Sequence, residues 1–211
     1  MKTITGIKAR KGRLDVFLDG AFAFSVSPAI AKQARLAPMQ ALSDSHEEAL
    51  KQADLLQRSY DAALRYLSYR PRTETEVRTR LRRGGLDAAL VDKVIAGLKL
   101  QGLVDDAAFA SFWRENRLSF SPRSSRLIGV ELQRKGVARE LIATTLSETD
   151  DDSAAYEAGQ KKARSLAGVD RQEFRRKLGS FLIRRGFSYE VCGHTVERLW
   201  QERADSQQDL S

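Results

Sequence analysis

The sequence predicts a mainly α-helical protein, with three tandem three-helix repeats forming an elongated curved array, preceded by a small N-terminal β-meander. Three observations lead there. The first 26 residues contain short apolar runs separated by turn residues, the pattern of short strands. From about residue 59 the apolar positions recur with the 3.6-residue period of helices. The motif Leu-x-Arg-x-Gly-apolar then appears at Leu81–Leu86, Leu132–Val137 and Leu182–Phe187, displaced by 51 and then 50 residues. Self-similarity at a fixed period marks stacked repeat units, because a short helical unit cannot bury its own apolar faces.

Each element has a local reason. Ile4–Ile7, Leu14–Leu18 and Phe22–Val26 read as strands, and Asp19-Gly20 between the last two is a two-residue hairpin turn. Ser27 followed by Pro28 reads as a helix N-cap with proline at the first helical position, predicting a short helix over 28–35. Pro38 ends that segment, and a polar, helix-favouring connector with Glu47, Glu48, Leu50, Asp54 and Leu55 begins at Ser43.

In the first repeat Tyr60, Ala63, Leu64 and Leu67 give one helix an apolar face, and Arg70-Pro71-Arg72 breaks it. Thr73 to Glu76 is a capping box for the second helix, and Asp170 to Glu173 resembles it in the third repeat. Gly85, Gly136 and Gly186 stand where a left-handed C-terminal residue is wanted, and Asp87 and Ser188 cap the helices that follow. Those third helices carry the stripes Leu90, Val91, Val94, Ile95, Leu98, then Leu141, Ile142, Leu146, then Val191, Cys192, Val196, Leu199. Joints fall at Leu103–Asp106 and Thr149–Ser153. The expected divisions are an N-terminal β-rich extension over 1–42, a helical connector over 43–58, repeats over 59–104, 105–152 and 153–203, and a flexible tail over 204–211.

The 211 residues are 42% apolar and 30% charged, which suits a packed chain rather than a disordered one. Thirty-six Lys and Arg against 28 Asp and Glu leave a net charge of +8, favouring a polyanionic partner, with nucleic acid first. The lone Cys192 cannot close an internal disulfide, and no window reaches the length of a membrane span. A cytoplasmic monomer without a membrane partner is expected.

Catalysis finds little support. His46 and His194 lie among charged residues, and Cys192 falls on the core stripe with Val91 and Ile142. No metal-ligand spacing or phosphate loop is present, so no catalytic residue, metal or cofactor is expected. Asp150-Asp151-Asp152 reads as an acidic linker. Phe109, Phe112, Trp113 and Phe174, Leu178, Phe181, Leu182 form core stripes, whereas Tyr69, Phe120 and Tyr189 fit no stripe and are open to partners.

The candidate binding residues are cations. Arg83, Arg134 and Arg184 of the repeated motif lie two residues past the core leucine, about 200° around the helix, and therefore point away from the core. Arg80, Arg82, Lys135, Arg175, Arg176, Lys177 and Arg185 surround them. A solvated helix face and a polyanion-binding surface both suit such residues.

The three copies resemble the tandem three-helix repeats of the RecX family, regulators of the RecA recombinase. The resemblance rests on Thr75–Arg78 through Leu81, on Gly102–Asp106 followed by Phe109, and on Glu131–Val137. The front, with Leu18-Asp19-Gly20 and Phe24–Ser27, is similar to the N-terminal extension of many members. One departure precedes Glu131-Leu132, where the family usually has a glycine and then Arg-Ile; this chain has Ser124 and then Arg126-Leu127-Ile128. The resemblance implies a protein that binds in the helical groove of the RecA filament on single-stranded DNA and inhibits its ATPase, strand-exchange and coprotease activities. Those cations would then be contacts to RecA or DNA, with weak direct DNA binding besides. An autonomous DNA-binding helical-repeat protein is the alternative.

Overall fold

A computed structural model of the chain describes residues 1–208. It contains two compact units, one of Met1–Pro71 with Val77–Leu103, the other of Arg72–Glu76 with the chain from Val104 onward.

The first unit opens with strands β1 (Lys2–Arg10), β2 (Arg13–Leu18) and β3 (Ala21–Val26), paired antiparallel. Both connecting turns place two residues at positive φ, Lys11-Gly12 at 48° and 77° and Asp19-Gly20 at 48° and 87°. That is the turn whose twist matches the flanking strands. A fourth strand, β4 (Ala41–Leu42), pairs with β1 and sets the order β3-β2-β1-β4. Two residues carry no readable alternation, so the meander expected from sequence lacked it.

Helix α1 (Pro28–Gln33) starts on Ser27, whose Oγ accepts the Ile30 amide at 3.2 Å. It stops short of the expected Arg35 because Arg35 turns left-handed, φ 50°, while the Leu36 amide bonds back to the Ala31 carbonyl. Ile4, Val16, Leu18, Phe24, Val26, Ile30, Leu42 and Leu50 make one buried cluster. The expected connector and the first helix of the first repeat are a single helix, α2 (Asp44–Leu67). Its Asp54 is 1% exposed and accepts Arg13 at 2.7 Å, Arg58 at 3.0 Å and the Ser27 amide at 2.7 Å. A residue read as part of a polar connector thus anchors the sheet to the helix.

The first repeat continues through α3 (Glu74–Arg83) and α4 (Ala88–Leu100), with Val77, Leu81, Val91, Val94, Ile95 and Leu98 buried. Leu64, placed on the apolar face by its spacing, is 36% exposed.

The second unit holds the other repeats: α5 (Asp106–Phe120), α6 (Ser125–Arg134) and α7 (Arg139–Leu146), then α8 (Asp151–Ala163), α9 (Arg171–Arg184) and α10 (Tyr189–Gln208). Phe109, Ala110, Ile128, Leu132 and Val137 form one core. Phe174, Leu178, Leu182, Phe187, Cys192, Val196 and Leu199 dominate another. Phe112, expected on the core stripe, sits on its flank and is 41% exposed. The expected tail is helical from Ala204 to Gln208, continuing α10, and residues 209–211 lie outside the described residues.

The repeated motif is a glycine helix stop in each copy, closed in the second and third by the same pair of hydrogen bonds. Gly85, Gly136 and Gly186 have φ of 86°, 85° and 93°. In the second repeat the Gly136 amide bonds to the Gln133 carbonyl at 2.9 Å and the Val137 amide to the Leu132 carbonyl at 3.1 Å. In the third, Gly186 and Phe187 do the same to Ile183 and Leu182 at 2.9 and 3.4 Å. This is the Schellman arrangement, in which the residue after the glycine meets the leucine five places earlier. The spacing Leu-x-Arg-x-Gly-apolar follows from it.

Candidate polyanion-binding interface

The helix stops decide where each cation goes. Counting from the core leucine, the motif arginine is two residues on, at about 200°, whereas the next residue is three on, at about 300°, and swings back toward the core. Arg83, Arg134 and Arg184 are accordingly exposed. The following residues, Lys135 and Arg185, are half-buried.

Lys135 and Arg185 work inside the second unit. The Lys135 ammonium lies 3.3 Å from Glu76 Oε1 and 4.3 Å from the centre of the Trp113 ring, and the Lys135 carbonyl accepts the Thr73 hydroxyl at 2.7 Å. Arg185 stacks on Phe181 with its guanidinium carbon 4.6 Å from the ring centre. It donates to the Pro122 carbonyl at 2.8 Å and the Ser121 hydroxyl at 3.2 Å, while its own carbonyl accepts the Ser124 amide at 3.1 Å. Burial, and then the like charge of Arg123, pull the Arg185 pKa down from its ordinary value. Both residues were candidates for partner contact, and the structure uses them as inter-repeat joints.

Each joint has a second component. The Asp106 carboxylate accepts the Glu74 amide at 2.8 Å, and the Asp151 carboxylate accepts the Ser125 amide at 2.7 Å and its hydroxyl at 3.2 Å. The preceding aspartates cap their own helices: Asp105 takes the Ala107 and Ala108 amides, and Asp150 those of Asp152 and Ser153. Hydrogen bonds from Ser153 hold the Asp150 carboxyl below its ordinary pKa. The acidic stretch read as a linker is therefore a helix start with a docking carboxylate. The paired Asp-Asp at residues 105 and 150 is the sequence signal that could have found it.

Glu131 organises the second repeat. It accepts Trp113 Nε1 at 2.8 Å and Arg117 Nε at 2.7 Å, and it bonds Arg123 as well. Burial alone would push its pKa up, but the bonds from Arg117 and Trp113 and the charges of Arg117 and Arg123 outweigh that and hold it below the ordinary value. The run Glu131–Val137 is legible in the sequence, whereas the partners of the Glu131 carboxylate, Trp113, Arg117 and Arg123, are not.

The cations left facing solvent fall in two sets. On α3 in the first unit, Arg80, Arg82 and Arg83 are exposed, and none has an ion pair among the described residues. In the second unit Arg134 at the end of α6 and Arg175 and Arg184 on α9 share that state. Arg176 and Lys177 are exposed but lie 3.8 and 2.9 Å from Glu173. Such surface pairs are worth about 0–1 kcal/mol, so they leave both cations open to a stronger anionic partner. A cation in the last helical turn also complements the helix dipole by about 0.3–1 kcal/mol. That term accounts for positive charges at Arg80, Arg82, Arg83, Arg134 and Arg184, but not for Arg175, Arg176 and Lys177 earlier on α9.

Tyr69, Phe120 and Tyr189, read as open to partners, are 80–83% exposed. His46 and His194 are exposed, whereas Cys192 is 4% exposed and burial pushes its thiol pKa up. Among the described residues no group of three or more His, Cys, Asp and Glu is placed to hold a metal ion. No described helix is long and apolar enough to cross a membrane.

Comparison with known proteins agrees with this architecture. Family models match residues 60–98 as "RecX, first three-helix domain", 105–146 as "RecX, second three-helix domain" and 150–194 as "RecX, third three-helix domain". "Regulatory protein RecX" of Lactobacillus johnsonii is 32% identical over 99% of this chain and 79% of its own length. The protein of the same name from Listeria welshimeri is 26% identical over 86% of this chain and 69% of its own. A crystal structure of regulatory protein RecX superposes with a TM-score of 0.68 at 27% identity, covering 90% of this chain and 97% of that one.

Proposed function

The chain belongs to the RecX family of regulatory proteins, and from that membership we propose that it is a negative regulator of the RecA recombinase. In this reading it binds in the groove of the RecA filament on single-stranded DNA. It thereby inhibits ATP hydrolysis, strand exchange and coprotease activity.

The observation that carries the reading is the set of exposed arginines on the second helices of the repeats that have no ion pair among the described residues: Arg80, Arg82 and Arg83, Arg134, and Arg175 and Arg184. Arg83, Arg134 and Arg184 recur at the repeat period, so a partner with its own repeating anionic sites can be engaged more than once. Attachment at several protomers opposes the motions that accompany ATP turnover and blocks the path of a second DNA strand. The cations supply attraction, and the helix stops supply rigid placement.

The test is a titration of the chain into RecA bound to single-stranded DNA, following ATP hydrolysis. Wild type is expected to inhibit, and the combined variant Arg83→Ala, Arg134→Ala, Arg184→Ala to inhibit less, with a flatter salt dependence and an unchanged helical spectrum. Surface substitutions of this kind change stability by about 0.5 kcal/mol or less. A triple variant as inhibitory as wild type across the salt range would assign these arginines to solvation alone. Tight, steeply salt-dependent binding to naked DNA without any effect on RecA would favour an autonomous DNA-binding protein instead.

A further inference from the structure

We propose that the outward face of the N-terminal sheet is a second binding surface, a stacking platform for single-stranded nucleic acid built on Phe17 and Phe22. It does not depend on the filament reading, since it concerns a strand bound directly by this chain.

The strand register puts the two aromatics together. Gly6, Phe17 and Phe22 are cross-strand partners on β1, β2 and β3, and Val16, the neighbour of Phe17, points into the core at 0% exposure. Because side chains alternate across a sheet, Phe17 faces outward. The Phe17 and Phe22 ring centroids are 6.0 Å apart in an edge-on arrangement, and Phe22 is 58% exposed. Gly6 adds no side chain to this row, and a Cβ placed there would only just reach Phe17, at 4.0 Å.

Cations border the rings. Lys8 is two residues from Gly6 on the same face, with its ammonium 5.2 Å from the centre of the Phe17 ring. Arg10 follows on that face, and Lys11 is exposed in the hairpin turn beyond it. The acid of the face, Asp15, is already bonded by Ser25 and lies 3.9 Å from Arg10. Asp19, at the far turn, accepts the Thr3 amide at 2.9 Å. Residues 1–35 carry seven Lys and Arg against two Asp and no Glu.

An exposed ring beside a half-buried one on a small antiparallel sheet, bordered by the exposed cations Lys8, Arg10 and Lys11, matches what a single strand presents: unstacked base faces and a phosphate backbone. A duplex hides its base faces. An acidic protein segment would use the cations but has no need of two rings at this spacing.

The experiment measures binding of the full chain to fluorescein-labelled oligo(dT), oligo(U) and a duplex of equal length by anisotropy. Phe22→Ala is expected to weaken binding to one or both single strands about fivefold or more, and to leave duplex binding unchanged. The two single-strand arms tell DNA from RNA. Because Phe22 is exposed, its melting temperature should stay close to wild type. Lys8→Gln with Lys11→Gln should flatten the logarithmic salt slope by about 1.4. Iodouracil-containing strands should cross-link to peptides carrying Phe17 or Phe22. Unchanged single-strand affinity in folded Phe22→Ala would overturn the proposal. So would equal losses on duplex and single strands, cross-links confined to the helical repeats, or a defect seen only in binding RecA protein without nucleic acid.

Discussion

Replacing Gly136 by alanine separates two costs that the repeated glycine turn combines. Gly85 and Gly136 share one backbone conformation, φ 86° and 85°, so alanine at either position meets the same left-handed penalty, about 1–2 kcal/mol. Their surroundings differ. A Cβ at Gly85 meets nothing within 4 Å, whereas one at Gly136 falls 2.5 Å from Thr75 Cβ and 2.8 Å from its Cγ2, and clashes with its hydroxyl. Relieving that overlap must shift the turn against the first residues of α3, and overpacking of this kind costs about 1–3 kcal/mol. Gly136→Ala is therefore expected to lose about 2–5 kcal/mol and Gly85→Ala about 1–2 kcal/mol. For a chain of this size each kcal/mol lowers the melting temperature by about 2–4 °C, so an excess near 2 kcal/mol should separate the variants by about 4–8 °C. Calorimetry on both measures it, and Thr75→Gly in the Gly136→Ala background should recover part of the excess. Equal losses at the two glycines, or no recovery, would refute the packing of this turn on Thr75.

Two further outcomes follow from side chains packed inside the second unit. Glu131→Gln should destabilise the chain at neutral pH by about 1–3 kcal/mol, because Arg117 and Arg123 lose their carboxylate. Since the folded pKa of Glu131 lies below its ordinary 4.5, the wild-type advantage is complete above about pH 4.5 and fades as pH falls through the folded value; urea unfolding of both proteins at pH 7 and pH 3 checks it. Cys192→Ser should cost about 1–3 kcal/mol by placing a hydroxyl in apolar packing, and the native thiol should react with a thiol reagent only on unfolding. Rapid labelling of the folded chain would contradict a core role.

What the sequence by itself determined is local. The capping box closes as its spacing predicts, with the Glu76 amide on Thr73 Oγ1 at 3.2 Å and the Thr73 amide on Glu76 Oε2 at 3.3 Å. The Asp19-Gly20 turn and the three glycine helix stops have the backbone conformations their residues favour. Each of these depends on hydrogen bonds that span six residues or fewer, so the residues that decide it lie next to one another in the chain. Asp170 shows the limit even there. It accepts the Glu173 amide at 2.8 Å, but the Glu173 carboxylate turns to Lys177 rather than returning to the cap.

Tertiary structure decided which charges are free. Thr73 meets Lys135 across 62 residues, Glu74 meets Asp106 across 32, Ser125 meets Asp151 across 26 and Arg13 meets Asp54 across 41. No local period encodes such partners, because each forms only where packed apolar faces bring two distant polar groups together and exclude the water that would otherwise satisfy them. Helical phase separated Arg134 from Lys135 and Arg184 from Arg185 by about 100° of rotation. Packing then turned one member of each pair into a joint and left the other in solvent, where a partner can reach it.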